Sequence, residues 1–241
     1  MQWALLFCDI IKINKYINIE GGIYMKTLRV TGKGRLSLKP DTIVVSFKSS
    51  AVYTDYAETI AMASKATKDL KAVIAKAGVD SELLKTTNLD VSPDYDTWYD
   101  DNNHRHEKFI GYKYTHNSKI MIDNDNKILG KLLYEVSASP LDVRFDIRYT
   151  VKDIEKSKND LLREAIKDAK EKAQILSEAA GVKLKSVVDI NYSWGEIEIY
   201  SEPLRLMDRQ ICAAPSKSFD IDIDADDIDV NDTVTVVWEI E

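Results

Sequence analysis

The chain's three histidines, His104, His106 and His116, all fall within 13 residues. On a strand, His104 and His106 point to one face, and His116 can approach from the other arm of a hairpin. With Asp100 or Asp101 this group has the donor types of a zinc site. The surrounding stretch is rich in Asp and Asn, however, so the stronger reading is a polar loop tip facing water. No metal ligands are assigned. Cys212 has Arg209 nearby, which would lower a thiol pKa and favour redox chemistry. It has no resolving partner, so it reads as an ordinary thiol. No GxSxG elbow places a serine beside a base. Catalytic residues and cofactors are therefore assigned to none. The rival reading is a metal- or thiol-dependent enzyme using the His104/His106/His116 loop or Cys212.

Two further motifs suggest ligands and fail on spacing. Gly32-Lys33-Gly34 invites a phosphate loop, but the GxxxxGK[ST] spacing is absent and Arg35-Leu36-Ser37-Leu38 continues as strand. Glycines at alternate strand positions mark a bulge or a close backbone crossing. Phe219–Asp227 alternates Asp with apolar residues. Counted as a calcium loop from Asp220, it puts Ala225 where glycine belongs and Asn231 where glutamate belongs. The expectation is a half-exposed edge strand whose Asp residues discourage pairing.

The aromatic residues are more informative. Tyr95, Trp98 and Tyr99 stand among charges in a predicted hairpin. They serve either an interface with a partner or packing over the protein's own surface, with ligand stacking a third reading. The connection 196–218 carries Leu204, Leu206 and Met207 on a polar background and must be covered by this chain or another. Tyr95, Trp98, Tyr99, Leu204, Leu206 and Met207 are the candidate interface.

The elements that must hold these residues follow from periodicity. The 3-and-4 spacing of apolar residues predicts long helices over about 55–77 and 153–180, and a shorter one over about 124–137 capped by Asp123 or Asn124. Gly78 and Gly181 follow the long helices and should be left-handed. The order strand, helix, Ala-Gly-Val, strand occurs at about 40–93 and again at 140–193, which suggests an internal duplication. Strands and helices without a strict βαβ rhythm predict an α+β fold, a twisted, mainly antiparallel sheet with the helices on one face.

The 241 residues are 44% hydrophobic and 30% charged, enough for a real core. A formal charge of −7 without a basic block argues against nucleic-acid binding. No apolar run has the length of a membrane helix. Residues 1–24 lack the layout of an export signal and read as an extension or an over-called start before Met25. The rest reads as one domain, 25–241. Two cysteines, Cys8 and Cys212, make no disulfide framework, so the chain as written is expected in the cytoplasm.

Four stretches together resemble the SIMPL-domain family of bacterial proteins, often described as periplasmic immunogenic or oxidative-stress-defence proteins. They are Val30-Thr31-Gly32-Lys33-Gly34 with Pro40-Asp41; Thr87-Asn88-Leu89-Asp90-Val91-Ser92-Pro93-Asp94-Tyr95-Asp96; Ile110-Gly111-Tyr112-Lys113-Tyr114-Thr115-His116-Asn117-Ser118; and Ala165 to Ala173 running on to Ala179-Ala180-Gly181-Val182. The resemblance implies an α+β domain that assembles into ring-like homo-oligomers, with no established catalytic residues and no cofactor. It also implies stress defence or envelope and partner interaction, and a periplasmic or secreted location as the alternative. A signalling adaptor is a second alternative.

Overall fold

The computed structural model describes residues 25–192, 197–204 and 223–241. They fall into two compact units, one from residues 25–39, 151–192, 197–199 and 227–241, the other from 40–150, 200–204 and 223–226. The α+β class with antiparallel pairing is as expected. The single sheet is corrected to two, with the helices divided between them.

The first unit holds strands β1 (Thr27–Leu38), β6 (Leu184–Tyr192) and β7 (Ile228–Ile240) in the order β1-β7-β6, with helix α3 (Ile154–Ala180) on one face. Asp153 caps α3 by accepting from the Lys156 N–H at 2.9 Å. Leu161, Ala165, Ala169, Ala173 and Ser177 recur every fourth residue on its buried side. Ala165, Ala169 and Ala173 meet Leu28, Val30, Val234, Val236 and Trp238 of the sheet, and Leu161 packs with Ile228 and Val230. Alanine on the helix alone does not bring the layers this close. An ideal Cβ on Gly32 would collide with the Ala165 carbonyl oxygen, and one on Gly34 with that of Leu161. The Gly32-Lys33-Gly34 segment is thus a close backbone crossing, and Lys33 between the glycines donates its N–H to Asp168 Oδ2 at 2.6 Å.

The second unit holds β2 (Thr42–Tyr53), α1 (Tyr56–Lys76), β3 (Lys85–Tyr99), β4 (Arg105–Asp123), α2 (Asn126–Ala138) and β5 (Val143–Thr150). Its sheet runs β3-β4-β2-β5. Ile43, Val45, Phe47, Ile120, Ile122, Ile147 and Tyr149 form the inner face beneath Leu70, Val73 and Ile74 of α1 and Leu129, Leu132 and Leu133 of α2. The helices therefore occupy one face here too. The cap of α2 is Asp125, accepting from the Lys127 N–H at 2.7 Å, not Asp123 or Asn124.

The strand-helix-strand order recurs as β2-α1-β3 and β5-α3-β6, but the copies are distributed differently. The first lies within the second unit, whereas β5 belongs to the second unit and α3 and β6 to the first. Gly78 and Gly181 are both left-handed, at φ 83° and 68°. Each exit is closed by the same bonds: the Gly78 N–H to Ala75 O with Val79 to Ile74 O, and Gly181 to Glu178 O with Val182 to Ser177 O.

One expected feature changes. Ile223–Asp227 is irregular chain and not an edge strand; its alternation arises because Ile223 and Ala225 pack against the second unit's core. The remainder of the Asp-rich stretch, Phe219–Asp222, lies outside the described residues. Leu204 covers an edge: its N–H donates to Ile147 O at 2.8 Å and the Ile147 N–H returns to Leu204 O at 3.3 Å. Ser201 adds a bond to Tyr149 O. Leu206, Met207, Cys212 and Cys8 lie outside the described residues.

Candidate functional site

Strands β3 and β4 outrun their sheet. Pairing of β4 with β2 stops at Tyr53 opposite Tyr112. From Asp94–Gly111 to Tyr99–Arg105 the two strands pair only with each other, so they leave the sheet as a two-stranded arm. A register shift between Asp94 and Tyr95 marks its root. Gly111 stands there at φ 145°, where an added Cβ would strike the Tyr53 carbonyl.

The tip is organised by Asp100. Its Oδ1 accepts from the Asn102 and His104 N–H groups, both at 2.9 Å, while Oδ2 faces His106 Nε2 at 3.0 Å and His104 Nδ1 at 3.4 Å. The His106 bond, with the His104 N–H second, holds the Asp100 carboxyl below its ordinary pKa. Asn103 turns the chain at φ 61°.

Along the arm the aromatics lean on one another. Trp98 stacks on the His106 ring, with centroids 5.5 Å apart. Tyr95 meets Phe109 edge-on at 5.7 Å, Phe109 meets Tyr112 at 5.3 Å, and Tyr112 meets Tyr56 at the start of α1 at 5.3 Å. These contacts leave Tyr95, Trp98, Phe109 and Ile110 between 42% and 51% exposed, and Tyr99 62% exposed. Phe109, Ile110 and Tyr112 were not singled out in the sequence. Pairing outward from the Asn102-Asn103 turn would have found Phe109, since it sets Tyr95 opposite Phe109 and Trp98 opposite His106.

The three histidines do not form one group, which corrects the metal reading. His116 lies ten residues along β4 from His106, about 30 Å at roughly 3.3 Å per residue. It is buried between Thr86 Oγ1, 2.9 Å from Nε2, and Thr67 Oγ1, 3.3 Å from Nδ1. Among the described residues no group of three or more His, Cys, Asp or Glu is placed to hold a metal ion.

Burial lowers the His116 pKa below 6.5. The folded state therefore holds the ring neutral, while the unfolded chain takes up its proton near 6.5. As pH falls through that value the unfolded state binds the proton first, and stability is lost until the folded-state pKa is passed. His116→Gln, which can still bond a threonine, should flatten this part of the pH dependence. Melting temperatures of both proteins between about pH 7 and pH 5 test it; parallel curves would show that His116 does not carry the effect.

The sequence profile of SIMPL, a family described as proteins of unknown function (DUF541), matches residues 28–238. The chain is also similar to the 26 kDa periplasmic immunogenic protein of Brucella abortus strain S19, with 25% identity over 218 residues covering 89% of this chain and 84% of the relative. The protein of the same description in Brucella melitensis biotype 1 matches with the same identity and coverage. No helix among the described residues is long and apolar enough to cross a membrane.

Proposed function

The chain belongs to the SIMPL family, and from that premise we propose that it acts without catalysis, by assembling with copies of itself through the β3–β4 arm. The observation that carries this reading is the arm's half-exposed aromatics, Tyr95, Tyr99 and Phe109 on one face and Trp98 on the other, with Ile110 beside the register shift at the root. A two-stranded ribbon in water is marginally stable by itself. Large aromatics kept open on such a ribbon gain most of their burial when a partner covers them. A second copy suits the geometry because β3 is an edge strand along its whole length. Its unpaired backbone groups, with the Tyr95, Tyr99 and Phe109 face beside them, can meet their own equivalents about a two-fold axis, or the next copy's in a ring. The enzyme reading is weakened by the separation of His116 from the tip histidines. The cell envelope is the favoured compartment, because both relatives are named periplasmic. A part in stress defence rests on the family resemblance alone.

Light scattering after size-exclusion chromatography tests the assembly. Wild type should run as a multi-subunit species at micromolar concentration. The triple variant Trp98→Ala, Tyr99→Ala, Phe109→Ala should run as a monomer with unchanged circular dichroism, since these side chains contribute little to either core. A monomeric wild type, or an oligomer that survives the triple substitution, would sink the proposal.

A further inference from the structure

The four-stranded sheet carries no helix on its outer face within the second unit, and that face is charged in an uneven way. Lys48 on β2 is the direct cross-strand partner of Arg144 on β5. Both side chains point outward, because their neighbours Phe47, Ser49 and Phe145 point to the inner side. Like charges set opposite each other on one face destabilise a sheet. One step along, Ser50 is paired with Thr115 of β4, and one step further Val52 is paired with Lys113. Lys48, Ser50, Lys113, Thr115, Asp142 and Arg144 together line a groove of about 270 Å³. Neither Lys48, Lys113 nor Arg144 has a carboxylate within ion-pair distance among the described residues, although nine other Lys or Arg pairs with a carboxylate are formed there. Asp142 is the groove's one acidic lining residue, which leaves an excess of two positive charges. That excess stands out in a chain whose net charge is −7.

We propose that this groove binds a small multivalent oxyanion of the phosphate class, either free or on a small ester. The donor set is suited to it. Arg144 offers a planar fork, Lys48 and Lys113 supply charge from two sides, and the Ser50 and Thr115 hydroxyls between them can each donate to an oxygen. An anion seated there relieves the Lys48–Arg144 repulsion, so binding recovers what the unliganded sheet forfeits. The site lies wholly on β2, β4 and the start of β5, away from the arm. It stands or falls independently of assembly.

The test uses the full chain with inorganic pyrophosphate as probe and sodium chloride at equal ionic strength as control. Pyrophosphate at roughly tenfold excess over its dissociation constant should raise the melting temperature by about 3 °C, and chloride should not. The double variant Lys48→Gln, Arg144→Gln should lose the response while melting no lower than wild type without the anion, because it removes a like-charge pair. Lys113→Gln, across the groove, should weaken pyrophosphate binding severalfold with the fold intact. Equal shifts with chloride and pyrophosphate would overturn the proposal, and so would a double variant that still responds.

Discussion

Gly32→Ala should be the most damaging single methyl group that can be added to the first unit. The new Cβ would run into the Ala165 carbonyl oxygen and the Ala169 amide nitrogen, and would stand 2.6 Å from the Ala169 Cβ. Two of these three obstacles are helix backbone, so no side-chain rotation relieves them. Either α3 lifts from β1 or the strand bends away, and both open the Leu28, Val30, Ala165, Ala169 core. Overpacking of well-filled cores costs about 1–3 kcal/mol and occasionally more. Obstruction by backbone puts this change at the upper end, about 3 kcal/mol or beyond. Urea denaturation followed by circular dichroism measures it. Gly181→Ala is the control: that glycine is left-handed with open space around it, so alanine there costs only the backbone term, about 1–2 kcal/mol. If the two variants proved equally stable, the close crossing of β1 and α3 would be wrong.

Gly111→Val should disable the arm and the second unit together. Its φ of 145° is disfavoured for any residue with a Cβ, and that atom would strike the Tyr53 carbonyl oxygen and stand 2.9 Å from the Tyr53 carbonyl carbon. The strain of such a backbone is about 1–3 kcal/mol, and the steric term is of similar size. Because β4 leaves β2 at this point, the chain can relieve the clash by rotating the arm's root. The row Tyr95, Phe109, Tyr112, Tyr56 would then lose its register. We expect a loss of about 3 kcal/mol in chemical denaturation and, on the proposed mode of assembly, a shift towards monomer. Unchanged stability would mean that β4 passes Tyr53 with more room than the structure gives it. A destabilised variant that remains fully oligomeric would separate the arm's geometry from assembly.

Helix ends were legible because they are set by neighbours in sequence. Asp55, Asp125 and Asp153 each accept from amides two or three residues ahead. The bonds around Gly78 and Gly181 span only six and four residues. The cap of α2 falls at Asp125 rather than Asp123 or Asn124, since the three are chemically alike and the choice depends on where β4 ends. The aromatic candidates Tyr95, Trp98 and Tyr99 were legible by their exposure among charges. Phe109 and Tyr112 were not, because their membership depends on which residues face one another across the ribbon. Grouping the histidines failed for the same reason: closeness in sequence becomes distance when the chain is extended.

From the sequence alone followed the α+β class, the helices and the interruption of the backbone at its glycines, all consequences of short-range periodicity, capping and steric freedom. Tertiary structure alone decided which strands share a sheet. β7 from the end of the chain pairs with β1 near its beginning, and β5 lies beside β2. Alternating patterns state which face of a strand is buried and say nothing of its neighbour, so partner choice awaits the packing of the cores. The same packing decided that Gly32 must lack a side chain, that Lys48 must face Arg144, and that β3 and β4 must run on beyond the strand that supports them.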